Sequence, residues 1–217
     1  MPVITISRQF GAAGGAVGRA VADRFGAEFL DRQIIALVAT RAGIPESEAE
    51  GYDERLPGLW QRLAAAFATG YSDVVLPSVP LEALPGPGFQ DRVAALTRAI
   101  IEEAADRGNA VIVGRGGAFI LAGRTGVFNV QLHAAVDARV GYLLSQVEEI
   151  PPDARPDEPS LRNLCLEVDA ARARYLRRHF GVDWNDSRHY DLALDTGRLG
   201  LALAADLIDS AARRTAT

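Results

Sequence analysis

The sequence predicts an α/β fold, a mostly parallel sheet with helices on both faces. Three observations predict it. Short runs rich in β-branched residues alternate with amphipathic segments, the pattern of strand–helix–strand crossovers. The first run, Val3–Ile6, leads through a turn carrying Gly11, Gly14, Gly15 and Gly18 into a segment with Val17, Val21 and Phe25 spaced four apart. Three strand ends carry polar sequence, Ser7-Arg8, Asp31-Arg32 and Gly114-Arg115. In a parallel sheet such ends share one edge, and ligands bind there.

Each element follows from its residues. Val3–Ile6 is a strand and the periodic segment to Phe25 a helix. Ala27–Leu30 reads as a short second strand. Gln33–Arg41 is helical, with Ile34, Ile35, Leu37 and Val38 on a broad apolar face, and Gly43 stops it. Pro45 opens another helix, with Glu46, Glu48 and Glu50 suited to its positive end. Leu59–Thr69 resumes a helix, and Tyr71–Phe89, with Pro77, Pro80, Pro85 and Pro87, is irregular. Gln90–Arg107 is an amphipathic helix closed by Gly108-Asn109, and Ala110–Val113 is the most buried-looking strand. Val127–Leu132 is a strand and Val136–Val147 a helix. Ile150–Ser160 is a second irregular stretch, Leu161–Phe180 an arginine-dense helix ended by Gly181, His189–Leu194 a strand and Leu199–Arg213 a last helix.

Composition narrows the function classes. The length of 217 residues suits one domain with insertions. A net charge of −5 argues against general nucleic-acid binding. No apolar run reaches membrane-spanning length, the N-terminus enters a strand without a basic leader, and Cys165 is the single cysteine, so the cytoplasm is the expected compartment. All 23 basic residues are arginine. Phosphate chemistry here would therefore use guanidinium forks rather than a lysine point charge.

Four groups of residues could carry chemistry. The glycine turn reads as a phosphate cradle, because glycines let backbone N–H groups approach an anion and the helix N-terminus adds aligned donors. It lacks the Gly-Lys-Ser/Thr ending of a P-loop, and the alternative is a strand-to-helix turn with no ligand. The second group is Arg8, Arg19 and Arg115. Arg115 follows an apolar strand, where a guanidinium needs an anion or a salt bridge to an acid such as Asp31. The third is Asp169–Arg178, in which Asp169 and Arg172 share a helix face and Arg174, Arg177 and Arg178 follow. It either neutralises charge on a transferred phosphoryl group or is a solvated face with weak i, i+3 pairs. The fourth is Asp31, Asp53 and Glu54. Asp31 is placed to orient a substrate or to hold Mg²⁺ through water, and the other two read as helix surface. His133, His179 and His189 have no metal-ligand spacing, and Trp184 reads as a packing anchor of the last connection.

Four stretches together, ITISRQFGAAGGAVGRAVADRFG, FLDRQII, VIVGRGGAFIL and YLRRHFGVDWNDSRHYDLALDTGRLG, resemble the cytidylate kinase-like family, related to the P-loop nucleoside-monophosphate kinases. The resemblance runs from Val3 to about Ile208. It implies a P-loop NTPase-like three-layer fold with a five-stranded parallel sheet. It also implies a helical substrate-binding insertion at roughly 32–95 and an arginine-bearing lid at roughly 150–188. The implied reaction moves the γ-phosphoryl group of ATP, with Mg²⁺, to a nucleoside monophosphate.

By the same resemblance Gly11, Ala12, Ala13, Gly14, Gly15 and Ala16 form the phosphate loop, with Gly14 at the place of the P-loop lysine and Ala16 at that of the Mg²⁺-binding hydroxyl. Arg115 matches the arginine of a Gly-Arg-Asp motif that binds the acceptor phosphate, and Gly116 stands where that motif has its aspartate. Asp169 and Arg172 match an Asp-x-x-Arg motif, and the pyrimidine-recognising Asp-Ser reads Asp31-Arg32. Arg8, Arg19 and the lid arginines Arg177 and Arg178 would replace the missing lysine. The expected partners are a nucleotide and a small acceptor, neither nucleic acid polymer nor membrane. The alternative is a nucleotide-binding pseudokinase acting as a ligand sensor or partner-binding module.

Overall fold

The computed structural model describes residues 2–31, 89–146 and 155–215, with side chains from Ala94 onward in the second stretch. Arg32, the helices expected between 33 and 69, the proline-rich 71–88 stretch, and Asp53 and Glu54 all lie outside the described residues.

Five strands form one parallel sheet in the order β2-β3-β1-β4-β5: β1 Val3–Arg8, β2 Glu28–Leu30, β3 Ala110–Val113, β4 Val127–His133 and β5 Leu192–Asp195. β1 is central and buried throughout, as a strand covered on both faces must be. Ile4 and Ile6 face one layer with Val111, Val113, Val130 and Leu132. There they meet Val17, Val21 and Phe25 of α1 (Gly14–Phe25) and Ala204, Ala205 and Ile208 of α7 (Leu201–Thr215). Val3, Ala110 and Ile112 face the other layer, against Ile100, Ile101 and Ala104 of α2 (Phe89–Arg107) and Leu121, just past the one-turn helix α3 (Gly117–Ile120). A third apolar cluster joins Phe10 to Val140 and Leu143 of α4 (Val136–Gln146) and to Leu161, Leu164, Cys165 and Val168 of α5 (Glu158–Phe180). The three-layer α/β expectation holds.

Strand ends shift by one or two residues, and three larger differences from the sequence pattern each have a local reason. α5 starts at Glu158 rather than Leu161, because the Asp157 side chain accepts from the Ser160 N–H and proline occupies the first turn. The last strand starts at Leu192, since Ser187–His189 forms a 3₁₀ turn capped by Asp186. The last helix is divided. Asp195 caps α6 (Thr196–Leu199) through the amides of Gly197 and Arg198, and Gly200, at φ +75°, breaks the chain before α7.

Candidate active site

All strands are parallel, so the register decides which residues meet at the carboxyl edge. Ile6 pairs with Val113 and Leu30 with Ile112. The residues just beyond are Arg8, Asp31 and Arg115, and they form one cluster. Arg8 Nη2 lies 3.9 Å from Asp31 Oδ1, both side chains being under a tenth exposed. Arg115 is partly buried and sits at φ +55° between Gly114 at +77° and Gly116 at +74°. A non-glycine residue in the left-handed region is strained, and such strain gathers at functional sites. Burial, and then the Arg8 charge, pull the Arg115 pKa below its ordinary value, with Asp31 and Tyr175 acting in the opposite direction. Arg8, Asp31 and Arg115 thus lie close enough to shift one another's charge in a largely buried place.

Arg8 also accounts for the missing lysine. Its stem crosses the start of α1, so that a Cβ on Gly14 would lie 2.5 Å from Arg8 Cγ and 2.9 Å from Arg8 Cβ. Its guanidinium ends against Gly114, where a Cβ would overlap Nη1. Any side chain at position 14 competes with the stem of Arg8. The arginine occupies space that a lysine at this position would need.

The glycine loop has its own signature. Gly11 lies at φ +77°, and Ala13, the N-cap of α1, is left-handed at φ +58° with no side chain capping the helix. The first-turn amides of Gly14, Gly15 and Ala16 therefore meet no acceptor among the described residues. Gly15 is half-buried and Ala16 exposed, whereas Gly11, Ala12, Ala13 and Gly14 are buried. An uncapped helix start at the carboxyl edge of a sheet is an anion-binding geometry. Ala16 contributes no oxygen to a metal, and no group of three or more His, Cys, Asp or Glu among the described residues could hold one.

Asp169 and Arg172 lie behind this loop and hold its backbone. Asp169 Oδ1 accepts from the Phe10 N–H at 2.8 Å, and Arg172 Nη1 donates to the Arg8 carbonyl at 2.8 Å. Arg139, which the sequence reading passed over, donates to Asp169 Oδ2 at 2.6 Å and to the Phe10 carbonyl at 3.0 Å. Its signal was present: a charged residue in the first turn of α4, four before Leu143 on the buried face. Burial raises the Asp169 pKa, while the Phe10 N–H, Arg139 and Arg172 pull it down. The solvated-face alternative for these two positions is thereby replaced by a buried anchor.

The remaining arginines are placed elsewhere. Arg19 is exposed and stacks on Phe29, its Cζ 4.0 Å from the ring centroid. Arg174, Arg177 and Arg178 are exposed on α5. The end of that helix closes over the Arg115 turn, where a Cβ on Gly116 would lie 2.9 Å from the Phe180 ring. An aspartate at position 116 would have to displace that ring and hold a left-handed backbone. Phe180 continues into an aromatic cluster, with Phe119 5.7 Å away and His189 and Tyr190 at 5.4 and 6.2 Å from Phe119. Spacing gave no hint of this cluster, since its members come from three segments. Trp184 is buried and anchors the last connection, its carbonyl accepting from Gln131 Nε2 and Tyr190 Oη at 2.8 Å each.

Among solved structures the chain is similar to an uncharacterized protein from Eubacterium ventriosum, with a TM-score of 0.63 at 17% identity over 98% of this chain and 99% of that one. It is also similar to a shikimate kinase from Bacteroides thetaiotaomicron, with a TM-score of 0.53 at 13% identity over 98% of each chain. At these identities the likeness establishes the fold alone, a three-layer α/β fold around a five-stranded parallel sheet. No curated protein matches the chain in sequence. The family model described as the cytidylate kinase-like family matches residues 3–198. With most of its length matched, and with the kinase-like fold around the glycine loop, the chain belongs to the cytidylate kinase-like family.

Proposed function

We propose that this protein binds ATP on the Gly11–Ala16 loop and transfers its terminal phosphoryl group to a nucleoside monophosphate, CMP-like, or a related small molecule. The observation that carries this reading is the Arg8–Asp31–Arg115 cluster, its first two side chains buried, beside the uncapped start of α1. The free amides of Gly14, Gly15 and Ala16 suit the phosphates of ATP. Arg115 would hold the acceptor's anionic group. Arg8, between loop and acceptor, would neutralise charge on the group in flight. Phosphoryl transfer asks mainly for such positioning and neutralisation. Mg²⁺ would be held chiefly by phosphate oxygens, with Asp31 reaching it through water, and when bound it would screen the phosphate charge.

No helix among the described residues is long and apolar enough to cross a membrane. The reading takes small molecules as partners, neither nucleic acid polymer nor membrane, and the cytoplasm as compartment. A second reading, a nucleotide-binding pseudokinase that senses a ligand, is favoured by Gly14 and Ala16 standing where a lysine and a hydroxyl would be expected.

A phosphoryl-transfer screen with ATP and Mg²⁺ against nucleosides and nucleoside monophosphates separates the two. Turnover supports the kinase. A nucleotide-dependent rise in melting temperature without turnover supports the sensor. No shift at millimolar nucleotide sinks both. Given turnover, Arg115→Ala is expected to abolish acceptor phosphorylation while ATP affinity stays within about threefold of wild type. Unchanged turnover removes Arg115 from the site.

A further inference from the structure

Phe10 is held at both of its peptide groups by side chains from two other elements. Its N–H donates to Asp169 Oδ1 at 2.8 Å, Asp169 Oδ2 accepts from Arg139 Nη1 at 2.6 Å, and the same Nη1 donates to the Phe10 carbonyl at 3.0 Å. These three hydrogen bonds close a ring around one residue. The ring is largely buried: Arg139 is 5% and Asp169 15% exposed at the side chain. Beneath it the Phe10 ring, 1% exposed, sits among Val140, Leu143 and Val168. The chain curls into its left-handed turn at the next residue, Gly11, whose missing Cβ would stand 3.0 Å from Arg139 Cβ. Arg139 therefore touches the loop both by hydrogen bond and by van der Waals contact.

We infer that Arg139 is a positioning residue for phosphate binding: with Asp169 it fixes the Phe10–Gly11 peptide, and so aims the amides of the glycine loop. The inference deepens the proposed nucleotide-binding reading and rests on it. Rotation about Phe10 would turn the following N–H groups, on whose direction an anion site built of amides depends. The cluster behind the loop also carries two guanidiniums, Arg139 and Arg172, for the one carboxylate of Asp169, which lies 3.8 Å from Arg172 Nη1. The arrangement ties α4 and α5 to the loop as one body, so the exposed arginines farther along α5 are carried by a helix whose position the loop fixes.

Tripolyphosphate tests the inference, since it carries the phosphate chain without base or acceptor. Its affinity is measured by calorimetry for wild type, Arg139→Gln, Arg139→Lys and the double variant Arg139→Gln/Asp169→Asn. The double variant removes both charges of the Arg139–Asp169 pair together, so that Asp169 is not left without Arg139, while Arg172 keeps its hydrogen bond to the Arg8 carbonyl. The expected result is at least tenfold weaker binding in Arg139→Gln and in the double variant while both stay folded by circular dichroism, with partial recovery in Arg139→Lys. Phe10 amide hydrogen exchange is expected to speed up in step with the lost affinity. Folded variants that bind tripolyphosphate like wild type overturn the positioning role. Failure of the wild-type protein to bind tripolyphosphate at all overturns the nucleotide reading itself, a separate outcome.

Discussion

Arg8 is a charged side chain placed where its stem decides what its neighbours are allowed to be. Gly14 is not in a left-handed conformation, so only the Arg8 stem prevents a side chain there. Installing the lysine, Gly14→Lys, is therefore expected to cost about 1–3 kcal/mol from overpacking. Made on an Arg8→Gly background, the same change should cost much less. The two changes are then strongly non-additive in a denaturant-unfolding cycle, whereas additive costs would show that Arg8 and Gly14 do not compete. Tyr190 supplies a second residue-level test. Burial raises its phenol to about 12 from an ordinary 10.0, against the lowering effect of a Ser7 hydrogen bond. The folded state thus holds a proton that the unfolded chain releases. The stability this contributes is complete below the ordinary pKa and is lost as the pH rises through the folded one. Tyr190→Phe should flatten the decline in stability between those two pH values, measured by denaturant midpoints. An unchanged alkaline slope would assign the decline to other groups.

At the scale of elements, the decisive contact is the end of α5 against the turn after β3. Three consecutive left-handed residues, Gly114, Arg115 and Gly116, turn the chain sharply enough to present Arg115 at the sheet edge. Phe180 fills the hollow that Gly116 leaves. Gly116→Asp, which would restore a Gly-Arg-Asp motif, is expected to destabilise the fold by about 2 kcal/mol or more, from left-handed backbone cost plus displacement of the ring. A stable Gly116→Asp protein with unaltered near-ultraviolet dichroism would show that the aromatic cluster does not depend on this glycine. The caps follow the same local logic. Asp186 caps its 3₁₀ turn and pairs with Arg188, and these bonds hold its carboxyl down to about 2.

For the molecule as a whole, the central strand β1 carries both the core and the site. Its Ile4 and Ile6 anchor the layer formed by α1 and α7, while Arg8 at its end enters the cluster of charges. Site geometry should therefore follow the packing of helices that do not touch it. Ile208 of α7 is fully buried against this layer. Ile208→Ala is expected to cost about 2–5 kcal/mol in chemical unfolding, the range for large-to-small changes in a core. A loss under about 1 kcal/mol would mean that α7 relaxes into the space and is not a fixed part of the layer.

The sequence by itself determined the layers and the edge. β-branched runs alternating with amphipathic segments specify a parallel sheet, because only crossover helices join such strands. Parallel strands put Arg8, Asp31 and Arg115 at the same edge whatever the details. The glycine loop was legible because four glycines between a strand and a helix mark close approach of backbone, as Gly14 and Gly18 allow, and a left-handed turn, as Gly11 adopts. What chain order could not decide was how distant side chains divide the space. The Arg8 stem across Gly14, Arg139 and Asp169 around Phe10, and Phe180 over Gly116 all join segments far apart in sequence, with no periodicity to announce them. Nor could composition tell whether Asp169 and Arg172 face solvent, a ligand or the loop. That depended on where α5 rests, and its position is set by burial of Leu161, Cys165 and Val168 against Phe10. Local pattern fixes which face of an element is apolar, and only tertiary packing decides which charged groups become neighbours once those faces are buried.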